Sequence, residues 1–356
     1  MDKKDLEESR ARAREARKAI NSGRIGDSYH SGRYTGAGSP KAQTAGEKKK
    51  DPAFLKTIIT LLAVALVLGA AALWLILGSN EEIFVEKNVP DKAVGTPVNE
   101  AGLEIHYLDV GQGSCTLIKC DDEAMLIDGG PDAKGTFVQK YLNDQGIKKL
   151  KYLVGSHYDA DHVGGLDVVI YKFDCETVFF PDYLRNDTKA SRDIADVLKE
   201  KSLTPVHPVV GDSYKLGGGF FSFIGPLDGP LGTGSRDQNE YSLSLIFYYG
   251  DKSFIFTGDA PESSENEMLS GGSNLKADVY LAGHHGSSSS SSEAFLEAVK
   301  PDAAVISCGK DNDYGHPHDS VLKRFEKRGI KVYRTDLNGT VILRSDGKNI
   351  EFSTER

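Results

Sequence analysis

One ten-residue stretch, SHYDADHVGG at residues 156–165, brings two histidines and two aspartates into six consecutive positions. They are His157, Asp159, Asp161 and His162. So dense a set of polar groups is costly to keep unless something compensates for its charge, and a bound metal ion is the usual compensation. The stretch follows the apolar run Leu150–Val154, which predicts a strand, so we expect these side chains on a loop at a strand end.

Three further polar groups each follow an apolar, strand-like run. They are Asp259 at the end of FIFTGD, the pair His284 and His285 at the end of VYLAGHH, and His316 within YGHPH. The carboxyl ends of strands in an open α/β sheet meet at one crevice. The pattern therefore predicts a single metal centre rather than scattered surface histidines.

Strand-like and helical patterns alternate between residues 103 and 345, which indicates an α/β domain. The helical patterns are Thr136–Asn143, Ala190–Lys201, Glu262–Leu269, Glu293–Val299 and Ser320–Lys327. Asn338-Gly339 predicts a two-residue hairpin turn. The serine run Ser287–Ser292 predicts a helix N-cap whose free N–H groups are available to an anion. The four cysteines have no disulfide-like spacing and are interpreted as buried thiols.

The amino-terminal part of the chain predicts a membrane anchor. Residues 57–78 form an uncharged apolar stretch of 22 residues, enough to cross a hydrocarbon core of about 30 Å. Lys48, Lys49, Lys50 and Lys56 precede it, whereas Glu81, Glu82 and Glu86 follow it. That bias places the amino terminus in the cytoplasm and the larger domain outside the membrane.

Charge is unevenly distributed on the two sides of this stretch. Residues 1–56 hold 14 Lys and Arg against 8 Asp and Glu, whereas the whole chain has a net charge of −9, leaving about −15 for the remainder. General electrostatic attraction to nucleic acid is thus absent from the larger part. We expect a basic cytoplasmic tail at 1–53, a transmembrane helix at 54–78, a linker at 79–101 and a folded domain at 102–356.

The ordered set HYLDVGQGSCTLI, MLIDGG, SHYDADHVGG, NEYSLSLIFYYGDKSFIFTGD, AGHHGSSSSSS, YGHPH and VYRTDLNGTV resembles the metallo-β-lactamase superfamily. Within it, the set is most similar to the hydrolase domain of the competence protein ComEC. The resemblance covers about residues 103–345. It implies an αββα sandwich, one or two divalent metal ions at the rim between the sheets, and hydrolytic chemistry.

The resemblance also implies ligands. The first metal motif, HxHxDH, is matched by His157, Asp159, Asp161 and His162, with an aspartate in place of the second histidine. Asp259 matches the bridging carboxylate, and either His284 or His285 matches the last metal histidine. A further histidine of the family is replaced by Asn239. His207 is a possible substitute, but its position between two prolines favours a structural or surface histidine.

The ligand chemistry leaves the metal open between zinc and manganese. The set Asp161, His162, Asp259 and one of the paired histidines suits zinc. The second set, His157, Asp159 and Asp259 with Asn239, has more oxygen ligands and favours manganese. Asp159 or Asp161 is expected to orient the attacking water. His316 either contacts a phosphate or serves as a general acid, or it has the structural role of capping a loop. Asp109 and Asp128 are expected to orient the histidines.

These features predict a membrane-anchored, extracytoplasmic, metal-dependent hydrolase, with a phosphodiesterase or nuclease acting on DNA as the leading interpretation. One alternative is hydrolysis of a smaller cell-surface ester, such as a phosphocholine or teichoic-acid phosphodiester. A non-catalytic membrane-tethered scaffold is another, and β-lactam hydrolysis is the least favoured. The expected partners are the ester substrate and the lipid bilayer.

Overall fold

The computed structural model describes residues 102–182, 188–227 and 238–356. The strands within these ranges are β1 (Leu103–Tyr107), β2 (Thr116–Cys120), β3 (Glu123–Ile127), β4 (Lys149–Val154), β5 (Asp174–Phe179), β6 (Ser213–Leu216), β7 (Gly219–Gly225), β8 (Ser244–Tyr249), β9 (Lys252–Phe256), β10 (Val279–Leu281), β11 (Ala303–Ile306), β12 (Lys331–Arg334), β13 (Val341–Ser345) and β14 (Ile350–Thr354). The helices there are α1 (Gly135–Asp144), α2 (Ala160–Val163), α3 (Leu166–Lys172), α4 (Lys189–Glu200), α5 (Glu262–Ser270), α6 (Glu293–Val299), α7 (Asp319–Lys327) and α8 (Thr335–Asn338).

Two seven-stranded sheets form the centre of this part of the chain. The first has the order β14-β13-β1-β2-β3-β4-β5, and the second has the order β12-β11-β10-β9-β8-β7-β6. Strands β3, β4 and β5 run parallel in the first sheet, as do β9, β10, β11 and β12 in the second. Each sheet thus has one group of parallel strands whose carboxyl ends point the same way.

The apolar runs are continuous because the inner strands are covered on both faces. In β9, Phe254 and Phe256 enter the core between the sheets, whereas Ile255 packs under the helices α5, α6 and α7. In β3, Ile127 faces the same inter-sheet core while Leu126 packs under α1, α3 and α4. Full burial of one such side chain stabilises the fold by roughly 1.5–3 kcal/mol. The layers are therefore helices, sheet, sheet, helices, and the predicted αββα sandwich is confirmed.

The predicted hairpin at Asn338-Gly339 is wrong. The strands on either side of it, β12 and β13, belong to different sheets. Asn338 closes the single turn of α8, where its side-chain oxygen accepts a hydrogen bond from the amide of Arg334 at 2.9 Å. The Asn338-Gly339 pair therefore marks a turn between the two sheets rather than a hairpin within one sheet. The four cysteines are buried and free, as predicted.

The predicted tail 1–53, transmembrane helix 54–78 and linker 79–101 lie outside the described residues. Among residues 102–182, 188–227 and 238–356, no helix has both the length and the apolar character needed to span a bilayer.

Candidate metal centre

Loops at the carboxyl ends of five parallel strands deliver the predicted side chains to one place. They carry Asp128 after β3, the SHYDADH segment after β4, Asp259 after β9, His284 and His285 after β10, and His316 after β11. The loops of the first sheet thus meet those of the second at the common edge of the sandwich. This is the convergence that the sequence predicted.

Asp259 lies at the middle of the centre. Its carboxylate is almost fully buried, and the Nε2 atoms of four histidines surround it. The distances from a carboxylate oxygen of Asp259 are 3.0 Å to His162, 3.5 Å to His284, 3.6 Å to His285 and 3.9 Å to His157. Both members of the histidine pair therefore reach the centre, where the resemblance had implied only one.

The ligand atoms fall into two halves that share Asp259. In the first half, Asp161 Oδ2 lies 3.1 Å from His285 Nε2, which in turn lies 3.1 Å from His162 Nε2. In the second half, Asp159 Oδ2 lies 3.6 Å from His157 Nε2. Among the described residues, Asp161, His162 and His285 can converge on one cation, and so can His157, His162 and Asp259. All seven predicted metal ligands are thus brought together.

Three buried histidines of the centre, His157, His162 and His285, each have a hydrogen-bond partner at Nδ1. His162 Nδ1 donates to the Asp128 carboxylate at 2.7 Å, and His285 Nδ1 donates to the Ser307 carbonyl at 2.9 Å. His157 Nδ1 lies 3.0 Å from the Ser156 hydroxyl. A carboxylate and a carbonyl can only accept, so the protons of His162 and His285 sit on Nδ1 and their Nε2 lone pairs face inward.

Those inward-facing lone pairs are the observation that fits a metal. His162 Nε2 and His285 Nε2 point at each other and at the carboxylate of Asp259, and a cavity of about 10 Å³ lies against these three residues. His157 Nε2 is buried and has no hydrogen-bond partner among the described residues. A convergence of acceptors without donors is stable only around positive charge. The donor set therefore fits a divalent cation.

The electrostatics of the centre favour positive charge as well. Burial lowers the pKa of His162, but Asp259 and Asp128 outweigh this and raise it well above its ordinary value. Burial raises the pKa of Asp259, but His162 and His285 outweigh this and hold it well below its usual range. The same field that binds a proton at Nε2 binds a metal ion there.

Ser156 and Asp128 form a buried support beneath the first histidines. Asp128 Oδ1 accepts the amide of Ser156 at 2.8 Å, and Oδ2 accepts the Ser156 hydroxyl at 2.9 Å. Asp128 therefore fixes His162 directly and acts on His157 through the serine. The sequence pointed to Asp128 but missed Ser156, although it is the first residue of SHYDADH.

The glycines of the segment DVGQGS, residues 109–114, allow close backbone approach. A Cβ atom at Gly113 would lie 2.4 Å from the Asp161 carbonyl oxygen, and Gly113 has φ +145°. The next amide, that of Ser114, donates to the same carbonyl at 3.0 Å. Only glycine fits where this loop contacts the backbone of Asp161, a candidate metal ligand.

The serine run does not offer an anion site, so that prediction is wrong. The amides of Ser291 and Ser292 donate to the fully buried carboxylate of Glu265 at 2.6 and 2.9 Å. Ser292 caps α6 as predicted, because its side chain accepts from the amide of Phe295. Glu265, which the sequence did not indicate, therefore uses the N–H groups that an anion would need.

Another serine of the run contacts His284, one of the candidate metal ligands. Ser289 Oγ lies 3.0 Å from His284 Nδ1, and Ser290 Oγ donates to the carbonyl of Ala260 at 2.7 Å. Arg324 donates to the carbonyls of Ser290 and Ser291. The run thus connects the loop that carries His284 to the loop that follows Asp259.

His316 lies beside the paired histidines. Its ring centroid is 5.6 Å from that of His284 and 6.2 Å from that of His285. Burial, and next the neighbouring His285 and His284, lower the pKa of His316 to about 4. The ring is therefore neutral at pH 7.

Three other sequence candidates have different surroundings. Asp109 does not orient a histidine: its carboxylate accepts from the amide of Gly111 and pairs with Arg356 at 2.6 Å. His207 has its Nδ1 at 2.9 Å from the carbonyl oxygen of Phe180 and its Nε2 at 3.9 Å from the carboxylate of Asp182. Asn239 lies in the 3₁₀ turn before β8, and its Oδ1 is buried without a hydrogen-bond partner among the described residues. Its role as a ligand stays a prediction.

A family model described as the metallo-beta-lactamase superfamily matches residues 108–310. The chain belongs to this superfamily. The match covers more than half of the sequence and includes every residue that surrounds Asp259. The domain is accordingly a metal-dependent hydrolase of the metallo-beta-lactamase superfamily.

Curated relatives confirm the competence-related branch. The chain is 30% identical over 268 residues to ComE operon protein 3 of Bacillus subtilis, a match that covers 70% of this chain and 34% of that protein. It is 32% identical over 249 residues to competence protein ComA of Neisseria gonorrhoeae, covering 69% and 32%. It is 30% identical over 243 residues to recombination protein 2 of Haemophilus influenzae, covering 67% and 28%. The matches thus span about a third of each relative's length.

Proposed function

We propose that this domain is a metal-dependent phosphodiesterase, with DNA as its polymeric substrate. The observation that carries the proposal is the pair of half-sites that share Asp259, because a two-metal arrangement is suited to displacement at phosphorus. The names of the relatives, which include competence and recombination proteins, support a nucleic-acid substrate.

Divalent ions bound at the two half-sites would lower the pKa of a water molecule toward ~7 and neutralise charge on the phosphoryl oxygens. The side chains of the protein have the remaining roles. Asp159, whose side chain is about one-third exposed, faces the solvent side and is placed to accept a proton from the attacking water. Asp161 and the histidines would hold the ions. His316, neutral at pH 7, is better suited to contact a phosphoryl oxygen than to act as a charged acid.

A second candidate substrate is a small phosphodiester, such as a phosphocholine or teichoic-acid ester. Residues after position 56 carry a net charge of about −15, which offers an extended duplex no general attraction.

We also propose that residues 54–78 anchor the domain on the outer face of the cell membrane. The uncharged stretch and the lysines before it support this location.

The test uses the full chain, loaded in separate preparations with zinc or manganese. Plasmid duplex, single-stranded oligonucleotide, a chromogenic phosphodiester and a β-lactam are assayed side by side, with bound metal measured by elemental analysis. We expect hydrolysis of phosphodiesters only. Removing the metal with a chelator should abolish it, and adding metal should restore it.

Two variants test whether the assigned site is required for turnover. Asp161→Ala removes a ligand and should abolish turnover, whereas Asp132→Asn changes an exposed aspartate outside the centre and should leave turnover unchanged. Full activity of the Asp161→Ala protein would refute the assigned site. Faster hydrolysis of a phosphocholine ester than of any oligonucleotide would favour the second candidate.

A further inference from the structure

The segment after β11 is a closed loop built around Asn312. The Asn312 side-chain amide donates to the carbonyls of Gly309 and His316 at 2.8 and 2.6 Å. Its side-chain oxygen accepts the amides of Tyr314 and His316 at 3.2 and 3.0 Å. One side chain thus makes four hydrogen bonds to the backbone of its own loop, which fixes the positions of residues 309–316.

This loop is also fastened to the metal centre. The backbone amide of His318 donates to the carbonyl of Gly286 at 3.0 Å. A Cβ atom at Gly286 would lie 2.6 Å from Pro317, so the two residues are in tight contact. Gly286 directly follows His285. The loop and the paired histidines therefore hold a fixed relative position.

Tyr314 stands on this fixed loop and faces solvent. It is 66% exposed, the highest value among the large hydrophobic side chains of the described residues. Its ring stacks on that of His316, with centroids 5.6 Å apart and planes 22° from parallel. His316 in turn contacts the ring of His284. One face of the tyrosine is therefore occupied and the other is open, two ring contacts away from a metal ligand.

The charges of the loop decide which part of a substrate it suits. Asp311 and Asp313 precede the tyrosine, and Lys310 is the one basic residue among residues 309–316, so the loop does not attract phosphate groups. A rigid, open aromatic face is suited to a flat ring, and stacking of a nucleobase on an aromatic side chain contributes about 1–3 kcal/mol. The base of a single strand is free to stack, whereas a base in a duplex is already paired.

We infer that Tyr314 is a specificity-determining residue that stacks on an unpaired nucleobase next to the scissile phosphate. The inference rests on the proposed phosphodiesterase function and narrows its substrate to single-stranded nucleic acid. Because the contact involves no charge, the part of the affinity that Tyr314 supplies is independent of salt concentration.

Binding is measured on the full chain carrying Asp161→Ala, so that the probe is not cleaved. The probe is a set of short single-stranded oligonucleotides in which 2-aminopurine occupies each position in turn, and stacking on tyrosine quenches its fluorescence. Tyr314→Leu should weaken binding by roughly 5- to 150-fold and remove the quenching. Tyr314→Phe keeps the ring and should bind within about twofold of the parent.

Two controls separate stacking from a change in fold. Tyr171→Leu alters a 49% exposed tyrosine on α3, outside the metal centre, and should not change binding. An oligonucleotide with abasic sites should bind the parent and the Tyr314→Leu protein equally. Equal losses for natural and abasic oligonucleotides would overturn the inference, as would unchanged binding by Tyr314→Leu. Tyrosine-dependent binding of a phosphocholine ester, with none of an oligonucleotide, would also overturn it.

Hydrolysis by the chain with intact Asp161 distinguishes this inference from the proposed function. If oligonucleotides bind in a Tyr314-dependent manner but no phosphodiester is cleaved, the function fails and the inference stands. If oligonucleotides are cleaved with a KM that Tyr314→Leu leaves unchanged, the function stands and the inference fails. If both hold, Tyr314→Leu raises KM for single strands and leaves kcat nearly unchanged.

Discussion

Replacing Asp128 by asparagine tests whether a carboxylate beneath the histidines controls metal affinity. Asp128 receives three hydrogen bonds, two from Ser156 and one from His162. Two of the donors, the amide of Ser156 and Nδ1 of His162, face different oxygens of the carboxylate. Asparagine has only one side-chain oxygen, so its NH₂ group must face one of these N–H donors.

Either orientation has a cost that the structure defines. If the NH₂ group faces Ser156, one buried amide is left unpaired, which costs about 1–3 kcal/mol of stability. If it faces His162, the imidazole must move its proton to Nε2, which then cannot bind a metal ion. Loss of a carboxylate in this position typically weakens metal binding by about 10- to 100-fold, which corresponds to about 1.4–2.8 kcal/mol.

The assay is competition for zinc between the full chain and a chromogenic chelator. The Asp128→Asn protein is compared with the parent and with Asp132→Asn, which alters an exposed aspartate that pairs with Lys189. We expect the first variant to show a higher dissociation constant and the second to match the parent. A dissociation constant for Asp128→Asn within twofold of the parent would show that the histidines need no support from this carboxylate.

Three other substitutions report on the fold around the site. Burial lowers the pKa of His106 from 6.5 to about 4, so the unfolded chain takes up a proton between these pH values that the folded chain does not. Stability present above pH 6.5 should therefore fall by up to about 3 kcal/mol as the pH drops toward 4, and urea titrations of His106→Gln should lack this loss. Glu265→Gln leaves one side-chain oxygen for two buried amides, so one amide loses its acceptor and the unfolding free energy measured by urea titration should fall by about 1–3 kcal/mol. Gly113→Ala places a methyl group against the Asp161 backbone and should weaken zinc binding in the chelator assay, which Gly146→Ala, at a site with open space, should not.

The sequence predicted the framework of the site because each part of it is local. A strand covered on both faces appears as an apolar run, and the polar residues that follow it must lie at the sheet edge, as Asp259 does. The helices α1, α4, α5, α6 and α7 were likewise predicted to within a residue or two. Strand β14 was missed because it is exposed at the sheet edge and has little apolar pattern.

Other features depend on contacts between distant segments and left no local signal. Both His284 and His285 adopt positive φ, 51° and 53°, a conformation that costs non-glycine residues roughly 1–2 kcal/mol each. That backbone brings both imidazoles to Asp259, which no spacing rule predicts. The anion site assigned to the serines failed because Glu265, some 26 residues earlier in the chain, occupies their amides.

The six consecutive serines are identical in sequence, yet their positions are not interchangeable in the structure. The amide of Ser288 donates to Nδ1 of His318, the hydroxyl of Ser289 contacts Nδ1 of His284, and Ser292 caps the start of α6. The number of residues between the His284–His285 pair and α6 is therefore fixed, even at positions where the identity of the residue is not. Deleting a single serine would shift each later one out of its contact, whereas exchanging an outward-facing one would change little, so this repetitive tract behaves as a spacer of set length.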